Sequence, residues 1–275
     1  MLWLLLLLQV WASCLWLGHS EVGTSFDSCL EFFYQNTPPN SALKPEDPAW
    51  ICQVYDNQYC FATLYDKSRR IPMYSAYKYE PGESPKPQIW MVEPQLMGST
   101  YPKEMNTEST LIDEYHVNIE EIKRSQAVLE DYKGLKGLTR GHLNPVGHHP
   151  TYRKKLPTNT LTNIVPQDEK LNNGAWTKYE QGTMIKKTKG CNSTYVIVGA
   201  VPGNSKIPSG RVNIPSHIWS SACCETGTGM RAWAVIAENN KNKVDLLTLG
   251  ELEAKLASLY GLEEVSLFHS DCPRK

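Results

Sequence analysis

Apolar and polar positions change period several times along this chain. Residues 51–55 and 59–65 are short runs rich in β-branched and aromatic residues, separated by Asp56-Asn57-Gln58, and they predict a hairpin. Residues 73–79 predict a third strand. The continuous apolar run at 194–201 predicts a buried strand, and 231–237 another. Helical spacing takes over at 113–129, through Ile119, Ile122 and Val128, and at 248–260, through Leu249, Leu252, Leu256 and Leu259. Pro38, Pro39, Pro45 and Pro48 make 21–50 an irregular opening segment, and 80–110 is polar and proline-rich enough to predict a long loop. Strands and helices do not alternate regularly, which predicts an α+β fold on a mostly antiparallel central sheet flanked by helices. No repeat or linker divides residues 21–275, so one domain is expected there.

The first residues have a different character. Met1 to about Leu17 is almost wholly apolar, small residues follow at Gly18 and Ser20, and polar sequence starts at Glu21. This pattern predicts a secretory signal peptide over 1–20, cut near Ser20. No second long apolar run follows, so no transmembrane span is expected in the mature chain. The expected location is extracellular, or the secretory-lysosomal lumen. Beyond the leader stand Cys29, Cys52, Cys60, Cys191, Cys223, Cys224 and Cys272. In an exported protein an odd set predicts two or three disulfides and one thiol that is either free or paired with another chain. Asn192-Ser193-Thr194 is a glycosylation acceptor and should lie at the surface.

The net charge of −1 argues against a protein that coats nucleic acid over its whole surface. Residues 131–190, however, carry eleven Lys or Arg against four acids. That window is either a solvated basic face or a phosphate-binding surface. Its cluster Arg153, Lys154 and Lys155 supplies the candidates for holding a DNA or RNA strand.

Three segments inside the window bring together the parts that phosphodiester hydrolysis needs. They are Thr139-Arg140-Gly141-His142-Leu143-Asn144-Pro145, then 159–167, then the helix opening at Leu171-Asn172. A neutral His takes a proton from attacking water near physiological pH. A guanidinium grips phosphate, and a hard divalent cation stabilises the charge that grows on oxygen. Mg²⁺ keeps much of its water and tolerates one or two protein ligands. His142 suits the base, Arg140 the clamp and Asn172 the metal ligand. Glu180, about 12 Å further along a helix, shares a side with Asn172 and Trp176. Taken singly, each has a plainer role: Asn172 as a helix cap, Arg140 in a surface ion pair, Asn163 bonded to turn backbone, Trp176 as a core anchor. His148 and His149 read as loop histidines, because no carboxylates or cysteines stand beside them to complete a zinc site.

In combination, Arg140-Gly141-His142, Asn163 with Pro166-Gln167, Leu171-Asn172 with Gly174 and Trp176, and Glu180 resemble the DNA/RNA non-specific endonuclease family of the ββα-metal fold. The match is strongest over about 138–182. The leader and the segments at 61–65 and 89–96 look like its vertebrate endonuclease domain-containing 1-like branch. The resemblance implies His142 as general base, Asn172 as the direct ligand of Mg²⁺ (or Mn²⁺), and Arg140 assisting at the phosphate. It implies Glu180 holding a metal-bound water and Asn163 supporting the site. The family has Asp immediately before Arg-Gly-His, and this chain has Thr139. Two functions follow: a secreted Mg²⁺-dependent endonuclease of little sequence preference, or a nuclease-derived nucleic-acid or protein binding module with weak or lost turnover.

Overall fold

The computed structural model describes residues 21–275, and the expected leader lies outside the described residues. The first strands are β1 (Val22–Gly23), β2 (Pro48–Tyr55), β3 (Gln58–Asp66) and β4 (Ile71–Lys78). Helices α1 (Glu108–Asp113) and α2 (Ile119–Ser125) follow. Next comes a two-stranded ribbon, β5 (Leu138–His142) and β6 (Ile164–Asp168), with the short helix α3 (Tyr152–Lys155) between its strands. Helix α4 covers residues 169–187. The chain ends with β7 (Cys191–Val201), β8 (Ser205–Lys206), β9 (Asn213–Ile214), β10 (His217–Thr226), β11 (Gly229–Glu238), β12 (Asp245–Leu247) and α5 (Leu249–Tyr260).

The main sheet has eight strands in the order β1-β2-β3-β4-β7-β10-β11-β12, antiparallel at every pairing. Both faces are covered. One packs on α5 through Leu249, Leu252 and Leu256, and on the opening segment through Phe26, Phe32 and Phe33. The other packs on the β5–β6 ribbon and α4 through Leu143, Ile164, Val165, Leu171, Trp176 and Tyr179. The ribbon followed by α4 is the ββα unit. The first hairpin turns on Asp56 and Asn57 alone, both at positive φ, as a two-residue turn that follows strand twist requires. Among the described residues no helix is long and apolar enough to cross a membrane.

Two elements differ from the sequence reading. The single helix expected over 113–129 is broken into α1 and α2, because His116 takes a positive φ and Asn118 caps a new helix by accepting from Glu120 N. α1 also starts earlier than the pattern suggested, at the Thr107 cap. β10 was not anticipated. Its Ser-Ser-Ala-Cys-Cys centre lacks the bulky residues of a typical strand, yet it pairs along its length with β7 and β11. Period two explains its cysteines. Cys224 faces the ribbon side and bonds Cys191, whereas Cys223 faces α5 and bonds Cys272. Cys29–Cys52 is the third disulfide among the described residues, and Cys60 is the free thiol among them.

A polar layer lies between the sheet and the ribbon. Thr63 and Ser75 meet across β3 and β4, and Ser75 Oγ donates to Asn163 Oδ1 at 2.9 Å. Asn163 is fully buried, and all of its amide is used. Oδ1 also accepts from Asn144 N, while Nδ2 donates to the carbonyls of Asn144 and Thr158. His148 and His149 belong to the same buried zone. His148 Nδ1 meets the Tyr77 hydroxyl and its Nε2 the Glu180 carbonyl, while His149 Nε2 meets Asn144 Oδ1.

Asn163→Ala should destabilise the fold by about 3 kcal/mol, since it strands buried donors and acceptors on three segments. Denaturant melts would show this, and a change under 1 kcal/mol would contradict the role given to that amide. Burial lowers His149 from 6.5 to about 3 and His148 to about 4. The unfolded chain therefore takes up these protons first. The stability they contribute is complete above about pH 6.5 and falls below it by about 1.4 kcal/mol per pH unit for each histidine. His149→Gln keeps a donor for Asn144 but does not titrate. Between pH 7 and pH 5 it should lose less stability than the parent, and an equal loss would refute the assignment.

Candidate active site

β5 carries the motif into a cleft bounded by α4 and by the proline-rich loop before Trp90. Lys86, Trp90, Arg140, His142, Asn172 and Glu180 line it. Gly141 lies between the two motif side chains for a steric reason. A Cβ there would meet the Gln167 side chain on β6, with Oε1 at 2.2 Å, so only glycine lets the ribbon close.

His142 Nε2 lies 2.9 Å from Asn159 Oδ1. The Asn159 amide is oriented independently, because its Nδ2 donates to the carbonyls of Pro87 and Ile89. Its oxygen must then face the ring, so Nε2 carries the proton and Nδ1 is the unprotonated nitrogen. Burial, with help from nearby Arg140 and Lys86 and against the pull of the Asn159 bond, lowers the ring to about 4. His142 is therefore neutral at pH 7.

Arg140 stacks its guanidinium on Trp90, 4.0 Å from the ring centroid, and makes no ion pair among the described residues. The stack holds the charge in place without neutralising it. Trp90 also packs against His142, with ring centroids 5.5 Å apart.

Asn172 does not cap α4. That role falls to Asp168, whose Oδ1 accepts from Leu171 N. Asn172 lies one turn inside, where the helix widens into a π-turn over Asn172–Trp176 and again over Tyr179–Thr183. Thr177 Oγ donates to the Asn172 carbonyl, and Asn242 Oδ1 accepts from Ala175 N at the widening. The Asn172 side chain is fixed by Thr139. Thr139 Oγ points its hydrogen toward the Gln167 carbonyl at 3.4 Å and accepts from Asn172 Nδ2 at 2.9 Å. Asn172 lines the cleft, and its Oδ1 accepts no hydrogen bond from the described residues. Glu180, further along α4, is the only carboxylate among the described lining residues. Burial pushes it up to about 8, opposed in part by the Trp176 indole and Lys86.

A cation placed here would find one amide oxygen and one carboxylate. Among the described residues no group of three or more His, Cys, Asp or Glu is arranged for a metal. This donor set fits a hard ion that retains most of its water, and it does not fit tetrahedral zinc.

Other sequence candidates lie elsewhere. Asn163 is beneath the cleft, where its bonds to Asn144 and Thr158 fix the ends of the His142–Asn159 connection. Arg153 pairs with Asp56 and Lys154 with Glu80, beside a separate surface hollow. Lys155 is buried, its ammonium on the carbonyls of Gly82 and Ser84. Asn192 is exposed at the start of β7. Trp90, Lys86 and the bond from Asn159 to His142 were not found from the motif spacing. An isolated Trp inside a polar, proline-rich loop was the one available signal.

The family model for DNA/RNA non-specific endonucleases matches residues 38–269. The Endonuclease domain-containing 1 protein of Homo sapiens is 30% identical over 79% of this chain and 42% of its own length. The Mus musculus protein of that name is 28% identical over 90% of this chain and 48% of its own. The chain thus spans about half the length of these curated relatives. Among solved structures, a chain of the EndoG/EndoGI complex aligns with a TM-score of 0.51 at 14% identity, covering 87% of this chain and 91% of that one, which is a likeness of fold. With the ββα unit and the matched span together, the chain belongs to the DNA/RNA non-specific endonuclease family.

Proposed function

We propose that the chain is a secreted, divalent-metal-dependent endonuclease that hydrolyses phosphodiester bonds of DNA, RNA or both with little sequence preference. The observation that carries this reading is the fixed tautomer of His142. A neutral ring with Nδ1 unprotonated lines the same cleft as Arg140, Asn172 and Glu180.

On this reading His142 Nδ1 takes a proton from water attacking phosphorus, while Asn159 holds the ring through Nε2. Arg140, braced on Trp90, binds the phosphoryl oxygens, and Lys86 adds charge at the rim. Mg²⁺, or Mn²⁺ in its place, would be held by Asn172, with Glu180 supporting its hydration. When bound, the ion stabilises negative charge on the phosphoryl and leaving oxygens. Beyond the cleft, Arg153 and Lys154 would exchange their exposed carboxylate partners for a strand's phosphates. Such surface pairs are worth little, so the exchange is cheap. Three disulfides and the exposed Asn192 acceptor agree with secretion and with a glycan at Asn192.

Thr139 favours a second reading, a binding module with weak turnover, because the family carboxylate is missing beside the Asn172 amide.

The deciding experiment is cleavage of plasmid DNA and of RNA by the mature protein with Mg²⁺ and then with EDTA. Metal-dependent cutting is expected, and its absence across pH 5–9 would leave only the binding module. His142→Ala should reduce cutting by about 10²-fold or more with an unchanged melting curve. Normal cutting by that variant would remove His142 as the base. The acid limb of kcat/KM should lie near pH 4, where Nδ1 of the free protein protonates. Thr139→Val removes the acceptor for Asn172 and should weaken both cutting and Mg²⁺ dependence by about 10-fold or more. Thr139→Asp should raise the rate. Parent-like behaviour of the valine variant would show that the hydroxyl does not orient the amide.

A further inference from the structure

Behind the ribbon, away from the cleft, two carboxyl groups are buried together without a cation. Glu21 is 1% exposed and Glu93 0%. Glu21 Oε1 accepts from Val54 N at 3.3 Å, and Glu93 Oε1 accepts from the hydroxyls of Thr160 and Thr162 at 3.0 and 3.1 Å. The two side chains lie within reach of a shared proton, and beyond that contact neither Oε2 has a donor. No Lys, Arg or His among the described residues forms a salt bridge with either one. Two buried acids so placed destabilise a fold unless something neutralises them.

The nitrogen of Glu21 belongs to the same buried segment. It is fixed in the same buried spot, donating to Gln95 Oε1 at 2.7 Å, while the Glu21 carbonyl accepts from Cys52 N at 2.9 Å. As an amide this nitrogen has a single hydrogen, already used. Sequence marks this bond independently. The apolar leader ends in Gly18-His19-Ser20, with small residues at the third-last and last positions, as a leader peptidase requires.

We propose that the chain is cut between Ser20 and Glu21, and that the new α-ammonium of Glu21 is the buried counter-charge of the Glu21–Glu93 pair. Hydrolysis breaks the C–N bond. Water gives its hydroxyl to the Ser20 carbonyl carbon and a proton to the Glu21 nitrogen, which takes one more proton from solvent. The ammonium keeps its bond to Gln95 and gains two hydrogens for the unpartnered carboxyl oxygens. One ammonium, one carboxylate and one protonated carboxyl then leave the pocket neutral. Glu93 is also the acceptor for Thr160 and Thr162, so the processed terminus braces the segment between Asn159 and Asn163. None of this rests on the nuclease reading.

The test has two parts. Protein secreted from animal cells should begin at Glu21 by intact mass and N-terminal sequencing. A different first residue overturns the proposal, and so does a pyroglutamate end, which has no ammonium. Next, protein beginning at Glu21 is compared with protein carrying one extra glycine before it, each with and without Glu93→Gln. The extra residue should lower Tm by about 4 °C or more at pH 7, and Glu93→Gln should abolish most of that difference. If Glu93→Gln does not fold, Glu21→Leu, which removes the carboxyl and cannot cyclise onto the α-amine, replaces it in the cycle. Equal melting of the two starting forms, or a difference that survives both substitutions, overturns the proposal. A Ca²⁺-dependent rise in Tm of the Glu21 form that requires Glu93 would assign the pair to a metal ion instead, and would equally overturn it.

Discussion

One buried amide decides where the cleft can be. Asn163 bonds to Ser75 on the central sheet, to both backbone groups of Asn144, and to the carbonyl of Thr158. His142 and Asn159 are held between these anchors. A ribbon of two five-residue strands has little apolar area with which to fix its own position on a sheet. Directional bonds to a fully buried group supply the missing precision, because any slide of the ribbon leaves several polar atoms unpaired at once. The apolar contacts of Leu143, Ile164 and Val165 hold the ribbon against the sheet, and the amide sets its register.

Much of this was legible in the sequence, for reasons that differ by element. The first hairpin, the strand at 194–201 and the helix at 248–260 are fixed by local pattern, and they formed where the pattern placed them, except that Gln58 of the expected Asp56-Asn57-Gln58 turn joins β3. β10 was illegible because its neighbours make it a strand. Two partner strands and two disulfides override a composition of small residues. At the site, the motif spacing singled out residues on β5 and α4 that line one cleft. It missed those that meet them from distant segments, since nothing local links Asn159 to His142 or Trp90 to Arg140. Charge density also misled about reach. Lys155 sits in the most basic stretch, yet its ammonium is committed to a loop's carbonyls.

Thr139 separates two tasks that a carboxylate would perform together. A carboxylate accepts from the Asn172 amide and also adds negative charge near a cation. Thr139, oriented by the Gln167 carbonyl, retains the first task and gives up the second. The amide keeps an acceptor, while the local charge is one unit less negative than a carboxylate would make it. Glu180 is then the remaining carboxylate of the cleft, and its desolvated state makes it the group most responsive to an arriving positive charge.

Cys60, the free thiol among the described residues, bears on how durably the three disulfides keep their pairing. It stands on β3, and the thiol is half-buried. Burial pushes its pKa up to about 12, so almost none of it is thiolate at neutral pH. Thiol–disulfide exchange starts with a thiolate, and its rate scales with that fraction. An odd cysteine in an oxidising setting is normally the agent that reshuffles its neighbours or joins two chains. Here the desolvation of the sulfur disfavours its thiolate, which slows its attack on the three disulfides of the described residues.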